Sequence, residues 1–140
     1  MKPPELFYWH VWTDREGVSR QTRRRIEPFD LSAIAQGAAP QWQHKENTAV
    51  AAVNLSVLPV GWQADWHENP KPQWIVPLSG RWFVETMDGQ RVEMGAGDLS
   101  LGEDQGTRAD DRGRKGHLSG VVGDEAVALM IVQLALPRRP

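Results

Sequence analysis

Short runs in which apolar and polar residues alternate, each cut off by glycine or proline, constrain this chain more than any other feature. Alternation with period two puts one set of side chains on each face of an extended strand, and the punctuating residues turn the chain before a helix can start. The 13 glycines and 10 prolines among 140 residues fall between such runs. That is the pattern of an all-β domain with many tight turns and few or no helices.

Residues 48–58 (TAVAAVNLSVL) put Ala49, Ala51, Val53, Leu55 and Val57 on one face, which predicts a strand with one drier side. A second strand is predicted over 62–67, ending at the corner Asn69-Pro70-Lys71-Pro72. Residues 73–79 (QWIVPLS) are apolar on both faces and predict a strand covered on both sides, with Pro77 marking a bulge or an edge. Residues 81–87 are predicted to pair with 90–94 through Asp88-Gly89, a two-residue turn whose central residues both take positive φ. A short strand is predicted over 98–101. Residues 117–122 and 126–134 read as a closing hairpin around Gly123-Asp124-Glu125.

The first 45 residues look different. An aromatic opening is followed by a turn over 14–17, the basic run Arg23, Arg24 and Arg25, and a short turn or helical element over 28–34. The expected organisation is an N-terminal arm with strands over 1–45, one β domain over 46–136 and a frayed tail over 137–140. The arginines alternate sides with Glu27 and Asp30 nearby, which reads as a solvated face. His10 and His44 fall outside the core pattern and read as surface residues. Trp82 reads as core.

Charge and cysteine content narrow the function. With 16 basic and 18 acidic residues the formal charge is -2, so no overall field invites nucleic acid or anionic lipid. The chain has no cysteine, which excludes disulfides, thiolate metal sites and thiol nucleophiles. No run approaches the roughly 18 apolar residues of a membrane span. The opening MKPPELFYWHVW lacks the apolar core of a signal peptide, so the expected compartment is the cytoplasm, with no membrane partner.

The most polar segment, 102–116 (GEDQGTRADDRGRKG), predicts a long loop, and loops of this length in small domains are usually functional or disordered. A lid carrying Glu103, Asp104, Asp110 and Asp111 is one reading, and a plain solvated loop is the other. Alternation also puts Asp65, His67 and Asn69 on one face and Trp66 and Glu68 on the other. Gln73 follows after the proline corner, and His117 is the only other histidine inside the predicted β core.

The spacing Gly61, His67, Asn69, Gln73, Gly80 resembles the first motif of the cupin family, in which a glycine, paired histidines, a glutamate and a closing glycine follow one another. Gly97-Asp98 resembles the opening of the second cupin motif. The resemblance covers residues 61 to about 120. It implies a single cupin domain, an antiparallel jelly-roll β-barrel. It also implies a divalent metal, zinc, nickel, iron or manganese, held by His67, Gln73 and His117.

Two departures stand out. Asn69 occupies the place of the second histidine and Gln73 that of the glutamate, so the set carries no charge. The histidine of the second motif falls on Arg108 unless the polar loop displaces it to His117, which begins the next apolar strand. Imidazole suits zinc, nickel, copper and iron, whereas a site poor in carboxylates holds manganese and magnesium weakly. Asp65 is the nearby carboxylate that could compensate.

The resemblance therefore implies a small organic metabolite bound in the barrel beside a metal, with dioxygenase-type oxidoreductase or isomerase chemistry. The alternative is a metal-free small-molecule-binding or sensor module, because amides are better hydrogen-bonding groups than metal ligands. Asn69, Asp65, Trp66 and Trp74 are the candidate ligand-binding side chains. For Trp62, Trp66 and Trp74 together, packing between sheets or across a dimer contact is the favoured reading over an aromatic wall for a ligand. Such barrels leave open sheet edges, and a homodimer is the expected way of covering them.

Overall fold

In a computed structural model that describes residues 2–135, the punctuated alternation becomes twelve strands, with no helix among the described residues. They are β1 (Phe7–Thr13), β2 (Ser19–Arg25), β3 (Asp30–Ser32), β4 (Gln41–Gln43), β5 (Val50–Leu58) and β6 (Gln63–His67), followed by β7 (Gln73–Ser79), β8 (Arg81–Thr86), β9 (Arg91–Gly95), β10 (Ser100–Glu103), β11 (His117–Val122) and β12 (Val127–Leu134). The expected tail over 137–140 lies outside the described residues. No helix in the described part is long and apolar enough to cross a membrane.

Two sheets make the body. One has six strands in the order β2-β1-β10-β7-β12-β5, and the other has four, β6-β11-β8-β9. The sheets are hydrogen-bonded separately and do not close into a ring, so the all-β architecture takes the form of a sandwich. Trp82, Val84, Val92 and Met94 of the smaller sheet meet Val11, Ile75, Val127 and Leu129 of the larger one. Each of these side chains contributes about 1.5–3 kcal/mol by leaving water.

The N-terminal strands are built into the larger sheet. β1 pairs parallel with β10 and antiparallel with β2. The chain then folds over the outer face of that sheet through the small β3-β4 ribbon. Ile26 and Phe29 there join Tyr8, Trp74, Leu101, Val132 and Leu134 in a second apolar cluster.

Several expectations change. β11 and β12 are not a hairpin: β11 pairs with β6 and β8, β12 with β5 and β7, so the turn at 123–125 carries the chain from one sheet to the other. Pro77 lies on a central strand, and the irregularity it brings is the register shift opposite Ala128 and Leu129. At the 81–94 hairpin only Gly89 takes positive φ. The Gly89 amide donates to the Thr86 carbonyl and the Thr86 amide to the Gln90 carbonyl, the pattern of a three-residue loop with a glycine bulge. The strand predicted over 98–101 begins at Ser100 and runs through Gly102 and Glu103, which the sequence had assigned to the loop. On β5 the face predicted to be drier is bare, with Val53, Leu55 and Val57 exposed by 61%, 68% and 70%.

Candidate functional site

The site lies where one end of the smaller sheet meets one end of the larger. β6 ends at His67 and β11 begins at His117, and the two residues are direct partners across the strand pair. Paired residues of neighbouring strands share a face, and the two imidazole rings lie 4.6 Å apart, centre to centre, at 50°. Gly116 makes this approach possible: its φ is +63°, and a side chain there would run into the His67 carbonyl.

Each ring is held by its Nδ1. His67 Nδ1 lies 2.7 Å from the Asp65 carbonyl oxygen, which only accepts, so this nitrogen is the donor. His117 Nδ1 lies 2.6 Å from Asp104 Oδ2. With an ionised carboxylate there, His117 Nδ1 also carries a proton. In neutral imidazoles both Nε2 atoms then bear the lone pair.

Asp104 is completely buried. Burial opposes its charge, but the hydrogen bond and charge of His117 and two N–H groups of Asn69 outweigh it and hold the carboxyl below the usual range. Asp104 Oδ1 accepts from the Asn69 backbone amide at 2.9 Å and from Asn69 Nδ2 at 2.8 Å. A chain of amides continues toward β12. Gln73 Nε2 donates to Asn69 Oδ1 at 2.7 Å, and Gln133 Nε2 donates to Gln73 Oε1 at 3.1 Å. Asn69 lies directly over Gly102, where any side chain would displace it.

The polar loop forms one wall. Thr107 donates to the Glu68 carboxylate through both its amide and its hydroxyl, and its Oγ1 accepts from the Gly116 amide. Gln105 Nε2 donates to the Asn69 carbonyl, and the Arg108 amide to that of Gly17. Asp110 ties the loop tip to Arg112 and Arg114. The segment read as a lid is thus fastened to the residues just after β6 and to the β1–β2 turn.

Of the expected site residues, His67, His117, Asn69 and Gln73 come together. Asn69 faces Asp104 and Gln73, and the Gln73 amide is engaged at both ends, so neither has the outlook of a ligand-facing side chain. Asp65 contributes its backbone carbonyl. Trp66 points to the other face of β6 from His67, with the Arg114 guanidinium 5.5 Å from its ring. Trp74 lies on the outer face of β7, edge-on to Tyr8 at 5.2 Å.

Two members of the site were not assigned to it by the sequence. Asp104 was grouped with the loop carboxylates, although it directly follows β10. Gln133 is the one long polar side chain on β12, in phase with Leu129 and Ile131, and that break in an apolar face is the signal that could have found it. The other two histidines are not plain surface residues. His10 is paired with Glu103 at 2.8 Å and accepts from Arg24, and His44 is half-buried.

The described residues contain no cluster of three or more histidine, aspartate or glutamate side chains able to hold a metal. Two imidazole nitrogens with an ionised carboxylate behind one of them are what the geometry supplies. They can bind a soft or borderline cation, accept a proton from a substrate, or take hydrogen bonds from a ligand. No family model matches the chain, and no curated protein is significantly similar to it.

Proposed function

We propose that this protein is a cupin-like jelly roll that binds a small organic molecule between its sheets, beside a divalent metal held by Nε2 of His67 and His117. The observation that carries the reading is the tethering of both Nδ1 atoms. Metal-binding histidines characteristically donate their second ring N–H to a carboxylate or a carbonyl, which orients the ring and raises its basicity. Asp104 and the Asp65 carbonyl do this here.

The donor set fits a borderline ion of the zinc, nickel, copper or iron kind, with the carboxylate acting from behind His117. Gln73 is not needed as a ligand, since its amide is committed to Asn69 and Gln133. When bound, the ion would supply Lewis-acid activation of a substrate oxygen, the chemistry shared by oxygenases and isomerases. The chain's part is to hold the Nδ1 proton of each ring on a fixed acceptor, which turns Nε2 toward the ion, and to keep Asp104 buried. Metal content of protein purified without a histidine tag tests this. Near-stoichiometric metal in the wild type, lost in both His67→Ala and His117→Ala, is the expected result. A wild type that stays metal-free after each ion is added back overturns it.

A second reading, a metal-free binding or sensor module, is favoured by the closed chain Asp104, Asn69, Gln73, Gln133. In it the two Nε2 atoms take hydrogen bonds from the ligand directly. Ligand binding that survives chelation would select this reading.

We also infer that the protein is a homodimer joined along β5. Exposed edge strands invite pairing unless charge, proline or a cover blocks them. The two edges of the larger sheet differ in this respect. β2 carries Arg20, Arg23, Arg24 and Arg25, whereas β5 (VAAVNLSVL) has neither charge nor proline. A second copy meets no like-charge repulsion along that strand.

A further inference from the structure

On the outer face of the larger sheet, away from His67 and His117, the segment that folds over β7 and β12 leaves a cavity of about 320 Å3. That volume is at the small end of the range for organic ligands. Its walls are mainly apolar, with Trp74, Val76 and Val132 on the sheet side and Phe29 on the covering segment. Two polar side chains join the lining, His44 and Glu46.

His44 is the informative one. Its side chain is only 13% exposed, and its Nδ1 lies 2.9 Å from the Pro28 carbonyl oxygen. A carbonyl accepts and never donates, so Nδ1 is the donor and Nε2 of the neutral ring is an acceptor. That Nε2 is buried and has no hydrogen-bond partner. The Glu46 carboxylate stands 3.7 Å from it, too far for a hydrogen bond. Native interiors rarely leave such an atom unpaired, and a cavity beside it is where a partner would come from.

The chemistry of the partner follows. It must offer a donor to Nε2. A neutral partner suits the place better than an anion, because the Glu46 carboxylate stands 3.7 Å from the same nitrogen. Its remaining surface must suit Trp74 and Phe29, whose rings favour another flat ring. We propose that this cavity is a second binding site, for a small uncharged aromatic molecule with one hydroxyl, which donates to His44 Nε2 while its ring packs on Trp74 and Phe29.

Calorimetric titration of the full chain with 4-methylphenol, toluene and 4-methylbenzoate tests the proposal. The expected result is saturable one-to-one binding of 4-methylphenol, with toluene and 4-methylbenzoate at least tenfold weaker. His44→Phe keeps a ring but removes the acceptor, and should bring 4-methylphenol down to the level of toluene. Val132→Trp fills the cavity and should abolish binding, whereas His67→Ala should leave it intact. No saturable binding of 4-methylphenol overturns the proposal. So does affinity equal to that of toluene, or binding unchanged in a folded His44→Phe variant. Loss of binding in His67→Ala with retention in His44→Phe would assign the phenol to the other site and overturn it as well.

Discussion

Asp104 and His117, thirteen residues apart in the chain, meet at 2.6 Å with the carboxylate wholly inside the protein. A buried carboxylate is costly unless its lone pairs are taken up. Here they are, by one imidazole N–H and two N–H groups of Asn69. Because Asp104 can only accept while charged, it dictates which nitrogen of His117 carries the proton.

Asp104→Asn reverses that dictation. The new amide can keep its oxygen on the two Asn69 donors, which turns its NH2 toward His117. Nδ1 must then accept and Nε2 must carry the proton, closing the position proposed for the metal. Metal affinity should fall about 10–100-fold, the usual effect of losing such an outer partner. A metal titration of folded Asp104→Asn checks this, and unchanged affinity would remove Asp104 from the account.

Acid should act through the same carboxylate. Asp104 is held below its ordinary value of 3.8, so its folded pKa lies under its unfolded one. Its contribution to stability is therefore complete above about pH 4, declines as pH falls through that value, and is gone below the folded pKa. The stability advantage of wild type over Asp104→Asn should shrink as pH falls below about 4. Denaturant unfolding at a series of pH values measures it. The lowered carboxyls of Asp14 and Asp110 are common to both proteins and cancel in the difference.

Gln73→Glu would restore the carboxylate that the cupin resemblance leads one to expect, and the structure predicts harm rather than gain. The Gln73 NH2 is the donor to Asn69 Oδ1, and a glutamate would set two acceptors against each other. Asn69 cannot turn over in response without withdrawing Nδ2 from Asp104. The cost should be about 1–3 kcal/mol in chemical denaturation. A variant as stable as wild type with tighter metal binding would instead make Gln73 a ligand position.

Much of this was readable in the residues. β7 runs over the predicted 73–79 because proline and glycine bound it on both sides, and the spacing from Gly61 to Gly80 by itself points to His67 and Gln73. What was not readable depends on contacts distant in the chain. Asp104 sits in a run of charge that reads as solvated, and only Asn69, 35 residues away, together with His117 makes it a core residue. The same limit explains β11 and β12: a three-residue turn looks identical whether the strands it joins pair with each other or cross between sheets. On β5 the apolar residues were recognised, but alternation reports two faces and not which of them is covered.

Replacing Leu55 and Val57 together by lysine tests the dimer. Both side chains are mostly exposed in the single chain, so its fold should lose no more than about 0.5 kcal/mol. The charges oppose a second copy along β5, and light scattering should report a monomer where the wild type gives a dimer. A wild type that is monomeric at millimolar concentration rules the pairing out.

The unlike borders of the larger sheet also set how far assembly can go. Two chains joined along β5 consume both permissive borders, and what they turn outward on either flank is β2 with its row of guanidinium groups. Like charge then faces like charge wherever two such borders approach each other. In the proposed dimer the larger sheet therefore keeps no uncharged border for a third copy, and the guard against growth along that sheet sits at its opposite margin.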